Sequence, residues 1–248
     1  MTATTDLVWL REPSRRTLLA TVTGTRGPSF VLDRSIFQAT SHAYRHPQPA
    51  DRGEVWLGGD KRVLTRVFWD RGELRHVVRG TTPPRGTEVR CHLDADRRDD
   101  ASAAHVAMHL LLSAFLRRRL GVLTDEPAVV GGRRFSLSAR WNEWSPKALK
   151  DLLDAANASA QAAHEVAYEY VPRDGARDVD VQRFDDGSTI QGEDVLRLVR
   201  IGDASCLPCD GTFPPRTAAL GRIVAGHVQV GRRGVRVQFQ VGHRSRTA

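Results

Sequence analysis

Between Thr17 and Leu93 the chain offers short β-rich runs, frequent turn signals and no helical period, and this limits the fold more than any other feature. Thr17-Leu-Leu-Ala-Thr-Val-Thr23 and Ser29-Phe-Val-Leu-Asp33 flank a turn at Gly24–Gly27. The runs Glu54–Leu57, Arg62–Trp69, Glu73–Val78 and Glu88–Leu93 continue the pattern. Asp70-Arg-Gly72 reads as a tight hairpin turn, and Pro83-Pro84 breaks the chain before the last run. Short strands of this kind expose unpaired edges unless the sheet closes on itself. They predict a small β-barrel over residues 1–95.

The character then changes. From Ala101 to Leu120 apolar residues recur at helical spacing, and Arg117-Arg-Arg119 sits at the helix end, where cations face the negative end of the dipole. Gly121 stops that helix, after a charged boundary stretch at Asp94–Asp100. Phe135–Trp141 reads as a strand. Ser145-Pro146 makes an N-cap and first-turn pair for a second helix running to about Ala163. Val166–Val171, Val195–Ile201 and the segment Gly221–Val241 read as strands. The fold class is therefore α+β: a small N-terminal barrel, then a two-layer domain over residues 96–248 with two helices on a mainly antiparallel sheet. No internal repeat or low-complexity tract is present.

Two segments carry chemistry. His105-Val-Ala-Met-His109 opens the apolar run Leu110-Leu-Leu-Ser-Ala-Phe115, and histidines four apart on a helix project from one face about 6 Å apart, a span a tetrahedral zinc bridges. Two such histidines also arise as ordinary polar neighbours. A hundred residues on, Cys206-Leu-Pro-Cys209-Asp-Gly-Thr-Phe213 leads from a strand into a Gly/Pro-rich turn. A thiolate held by a turn opposite a two-histidine helix is a familiar way to close a metal site. Cys91 and His92 alternate on a strand and read as structural.

These segments resemble the editing domain of alanyl-tRNA synthetase and its free-standing AlaX relatives. The upstream matches are Val31-Leu-Asp-Arg-Ser-Ile-Phe37 and Pro47-Gln-Pro-Ala-Asp-Arg-Gly53, with Arg97-Arg98 before the histidine helix and Val130-Gly-Gly132 after it. The resemblance spans about residues 17 to 241. It implies zinc as cofactor with His105, His109 and Cys209 as its ligands, aminoacyl-tRNA as partner, and an ester-cleaving pocket for a small amino acid (Ser, Gly or Ala). Two positions depart from the family pattern. The histidine expected four residues after the cysteine is Phe213, and a glycine-rich turn is replaced by Gln38-Ala-Thr-Ser-His-Ala-Tyr-Arg-His46. Cys206, His42 and His46 are the candidate replacements for the missing fourth ligand.

Within that resemblance, Thr212 and Thr217 are the candidate catalytic contacts, and Phe213, Gln48 and His46 line the pocket. Thr212 is equally readable as a turn cap. Phe213 puts an apolar ring where an imidazole would stand, and excluding water favours transfer over hydrolysis. Three functions follow: a zinc-assisted deacylase, an aminoacyl-tRNA-dependent transferase with a small-molecule acceptor, and a non-catalytic tRNA-binding module.

Composition is consistent with a polyanionic partner. The 248 residues carry a formal charge of +8, with arginine far outnumbering lysine, and guanidinium suits bidentate phosphate contact. Arg117, Arg118 and Arg119 are the expected tRNA contacts, although an arginine-rich genome would give the same bias. Three cysteines do not pair into a disulfide framework. No apolar run reaches membrane-spanning length and no signal peptide is visible, so no membrane partner and a cytoplasmic location are expected.

Overall fold

The computed structural model describes residues 5–40, 48–124, 128–172, 195–209 and 211–243. Two compact units divide the described chain: residues up to Thr40 together with Pro49–Asp99, and Gln48 together with the chain from Asp100 onward.

The first unit opens with β1 (Asp6–Leu7) and the one-turn helix α1 (Val8–Arg11). It continues through β2 (Thr17–Arg26), β3 (Ser29–Leu32), β4 (Arg34–Ser35), β5 (Gly53–Leu57), β6 (Asp60–Asp70), β7 (Glu73–Val78) and β8 (Glu88–Leu93). Six of these close into a barrel in the order β2-β3-β7-β6-β5-β8, as the strand pattern predicts. Closure follows from alternation: Leu18, Ala20 and Val22 of β2 and Val89, Cys91 and Leu93 of β8 all turn inward. Register shifts between Val22 and Gly24 and between Leu64 and Arg66 add the local bend a small barrel needs. At Gly53 the β5 and β8 backbones approach so closely that any Cβ would collide with the His92 carbonyl and the Phe37 ring.

An ion pair lies inside this unit. Arg98 Nε donates to Asp51 Oδ1 at 2.9 Å and its NH2 group contacts Asp51 Oδ2, with both side chains almost fully buried. The same guanidinium donates to the carbonyls of Ile36 (2.8 Å) and Pro13 (3.1 Å), and Asp51 Oδ2 also accepts from the Gln38 amide at 2.6 Å. Every strong valence is met, which is the condition under which buried charge is tolerated.

Helix α2 (Ala95–Arg117) starts earlier than the apolar period implies. Asp94 Oδ1 accepts from the Arg97 amide at 3.1 Å, an N-cap contact that turns the charged stretch into the first helical turns. From Ala101 to Ser113 every residue is buried, so this helix is covered all round rather than on one face.

The second unit continues with β9 (Gly121–Leu123), β10 (Ala128–Gly131), β11 (Arg134–Trp141), α3 (Pro146–Gln161), β12 (Val166–Pro172), β13 (Val195–Ile201), β14 (Ser205–Pro208), a 3-10 turn (Thr217–Ala219), β15 (Leu220–Gly231) and β16 (Gly234–His243). The class is α+β as expected, but the single sheet is resolved into two. One has five strands, β10-β11-β16-β15 with β9 also on β11; the other is the three-stranded β12-β13-β14. A shared core joins α2, α3 and both sheets through residues such as Met108, Phe115, Leu152, Val199, Leu207 and Phe239. Ser145 caps α3 as its sequence predicts, its Oγ accepting from the Ala148 amide at 3.1 Å. Asn157 of α3 makes a two-point contact with the Ile223 backbone (2.8 and 2.9 Å) on β15, the strand at the end of the sheet order.

Candidate functional site

Two elements of the second unit bring the chemistry together. Helix α2 carries His105 and His109 one turn apart, both fully buried, with ring centroids 5.1 Å apart. Strand β14 delivers Cys209, also fully buried, just beyond its end. Donor atoms of these three side chains all lie within 4.8 Å of one another, and His105 Nε2 is 3.3 Å from Cys209 Sγ. A tetrahedral zinc with one nitrogen and one sulfur ligand would hold those two atoms about 3.6 Å apart. The donor set therefore fits a borderline divalent metal if the widest donor separations close by about 1–1.5 Å.

The tautomer of His105 is decided by its neighbours. The Thr212 backbone amide is an obligatory donor and points at Gln48 Oε1 (3.2 Å), which identifies that atom as the carbonyl oxygen. His105 Nδ1 lies 2.8 Å from the same oxygen and must therefore carry the proton. Nε2 is left with a lone pair directed to the sulfur side. Gln48 Nε2 donates to Thr212 Oγ1 at 2.8 Å, and the Thr212 hydroxyl shares a second hydrogen bond with Ser102 Oγ, also at 2.8 Å. This chain of contacts fixes the His105 imidazole from behind, the kind of support a metal-ligating histidine requires.

The turn after Cys209 is held just as closely. The Gly211 amide donates to Cys209 Sγ at 3.4 Å, favouring negative charge on sulfur, and any Cβ on Gly211 would overlap the His105 ring. Arg197 of β13, itself buried, donates to the carbonyls of Cys209 (2.7 Å) and Gly211 (3.0 Å) and stacks 4.0 Å over the Tyr168 ring. Burial pushes the Tyr168 phenol up, with the Arg197 charge opposing. Sequence reasoning missed Arg197. Its signal was a lone cation inside the apolar run Val195-Leu-Arg-Leu-Val199, where a strand buried on both faces should carry none.

Phe213 lies against both imidazoles, 4.7 Å from His105 and 5.0 Å from His109 between centroids, and is 3% exposed. Thr217 opens the 3-10 turn; its hydroxyl is buried with no hydrogen-bond partner among the described residues. Cys206 is buried on β14 opposite Arg200 and does not join the converging donors. His42 and His46 lie outside the described residues. Cys91 is sealed in the barrel, where burial pushes its thiol up to about 12. Arg117, Arg118 and Arg119 are exposed, but Arg117 donates to the Asp203 carbonyl (2.5 Å) and Arg118 to that of Asp151 (3.0 Å). They tie down the helix end as well as presenting charge.

No family model matches the chain. Individual proteins do. It is 28% identical over 249 residues to an alanine–tRNA ligase of Methanopyrus kandleri, covering 96% of this chain and 26% of that protein. In sequence the chain is similar to one segment of the alanine–tRNA ligases. The enzyme of Hyperthermus butylicus is 28% identical over 93% of the chain, and that of Archaeoglobus fulgidus 27% over 96%, covering 24% and 26% of those proteins. The chain thus spans about a quarter of the length of the curated relatives it matches. Nearly every element described above falls within the matched region, in line with the resemblance drawn from the motifs. No helix among the described residues is long and apolar enough to cross a membrane.

Proposed function

We propose that this chain acts on the ester bond of an aminoacyl-tRNA carrying a small amino acid such as serine, glycine or alanine. The observation that carries the reading is the convergence of His105, His109 and Cys209 in a relative of alanine–tRNA ligases. Zinc is the metal this donor set fits, and when bound it supplies a Lewis acid able to polarise a carbonyl. The protein's own part is preorganisation. Gln48 and Thr212 hold His105 in one tautomer, and Arg197 with the Gly211 amide fixes the thiol-bearing turn. Thr212, whose hydroxyl is committed on both sides, acts as a positioning residue. Thr217, with its unpaired buried hydroxyl, is the group proposed to bind the substrate's amino or hydroxyl function.

In the hydrolytic form of the reaction, water oxygen bonds to the ester carbon, the bond to the tRNA ribose oxygen breaks, and that oxygen takes the proton. One observation favours a second form: Phe213 lays an apolar ring on both imidazoles where a polar group would admit water. There a small-molecule nucleophile takes the place of water and receives the aminoacyl group. The test is incubation of purified protein with seryl-, glycyl- and alanyl-tRNA, following free amino acid with and without a pool of small-molecule amines and alcohols. Release to water alone supports the deacylase, and turnover only with an acceptor supports the transferase. Intact ester under every condition defeats both.

A further inference from the structure

The outer face of the five-stranded sheet carries arginine and no acid. Strands β9, β10, β11, β15 and β16 contain neither aspartate nor glutamate. Asp125 and Glu126, between β9 and β10, fall outside the described residues. The register shows how the side chains are distributed. Phe135, Leu137 and Ala139 of β11 and Val235, Val237 and Phe239 of β16 point into the core. On the opposite face the register sets Arg140 beside Val122, Ser138 beside Arg236 and Gln229, Ser136 beside Gln238, and Arg134 beside Gln240; Ser136 and Ser138 are themselves buried, whereas the arginines and glutamines are exposed. Arg134 and Arg140 stand about 20 Å apart along one strand. Arg232 and Arg233 form the two-residue tip of the β15–β16 hairpin.

These cations are available. Arg134, Arg140, Arg232, Arg233 and Arg236 are all exposed, and none forms an ion pair among the described residues. That contrasts with Arg117 and Arg118, whose guanidinium groups serve backbone carbonyls. A groove of about 230 Å³ opens among Thr124, Ser138, Gln229 and the three arginines 232, 233 and 236. Uncompensated guanidinium groups interleaved with the exposed neutral side chains of Thr124, Gln229, Gln238 and Gln240 match a chain of phosphates whose sugars bear hydroxyls.

We propose that this sheet face is the surface that grips the phosphodiester backbone of a structured RNA. The proposal rests on the aminoacyl-tRNA reading above and moves the main electrostatic contact from the helix end to the sheet. The experiment measures binding of an in vitro transcribed tRNA by fluorescence anisotropy over a series of salt concentrations. One variant combines Arg134→Gln, Arg140→Gln, Arg233→Gln and Arg236→Gln, and a second combines Arg117→Gln with Arg118→Gln. Circular dichroism checks that each is folded. The sheet variant should bind at least tenfold more weakly at low salt, with the slope of log K against log salt shallower by about 3. The helix-end variant should lose about one unit of slope or less. If the wild type binds tRNA and the sheet variant keeps its affinity and slope, the surface is wrong while the functional reading stands. Equal losses in both variants also overturn the assignment to the sheet. A wild type that binds no tRNA at low salt overturns the functional reading itself.

Discussion

Replacing Gln48 with leucine tests the reasoning about His105 most directly. The side chain is 1% exposed and makes three contacts: it accepts from His105 Nδ1 and from the Thr212 amide, and donates to the Thr212 hydroxyl. Leucine has similar volume, so packing is largely retained. Two buried donors, the imidazole N–H and the Thr212 N–H, lose their acceptor, each costing about 1–3 kcal/mol. Stability should therefore fall by about 2–6 kcal/mol, read as a lower urea midpoint with an unchanged slope. His105 also loses the group that selects its tautomer, and contacts of this kind are typically worth about 10–100-fold in metal affinity. Competition against a chromogenic chelator should show zinc held that much more weakly by Gln48→Leu. Gln48→Glu keeps an acceptor at Oε1 and should retain zinc near wild-type strength. A folded Gln48→Leu protein that binds zinc like the wild type would refute the claim that this network orients His105.

Three shorter predictions accompany it. Phe213→His should bind zinc more tightly, by chelator competition, and shift product from transfer toward free amino acid; unchanged metal affinity would mean position 213 does not reach the metal. Gly211→Ala should lose about 1–3 kcal/mol of stability, because its methyl must displace the His105 ring, and a variant with the wild-type urea midpoint would show that the turn yields freely. His76, buried in the barrel beside Phe30 and Ser35, has its pKa lowered to about 4 by desolvation. The unfolded chain takes up that proton first, so this stability is complete above about pH 6.5 and is lost as pH falls toward 4, amounting to about 3 kcal/mol. His76→Gln should flatten the pH dependence of unfolding across that window, and an identical profile would count against the assignment.

The barrel was legible because closure of a small sheet depends on local features, strand alternation and turn residues, that lie within a few positions of one another. The same holds for the Ser145–Pro146 start of α3 and for the two histidines on one helix face. Arg117 and Arg118 show the limit: a run of cations is visible in the chain, but whether their donors face solvent or a carbonyl depends on Asp203 and Asp151, distant in sequence. Arg98 marks the same limit at greater cost, since only folding reveals that Asp51 neutralises it. Gln48 was placed near the pocket by motif alone; that its amide decides the tautomer of His105 required Thr212, 164 positions away, to supply the fixed donor. Arg197 was hidden for a related reason, because an arginine in an apolar strand becomes interpretable only when the carbonyls of Cys209 and Gly211 are seen against it. Periodicity encodes which face of an element is apolar. Hydrogen-bond partners and unpaired charge are properties of groups brought together across the fold, and only the tertiary structure assigns them.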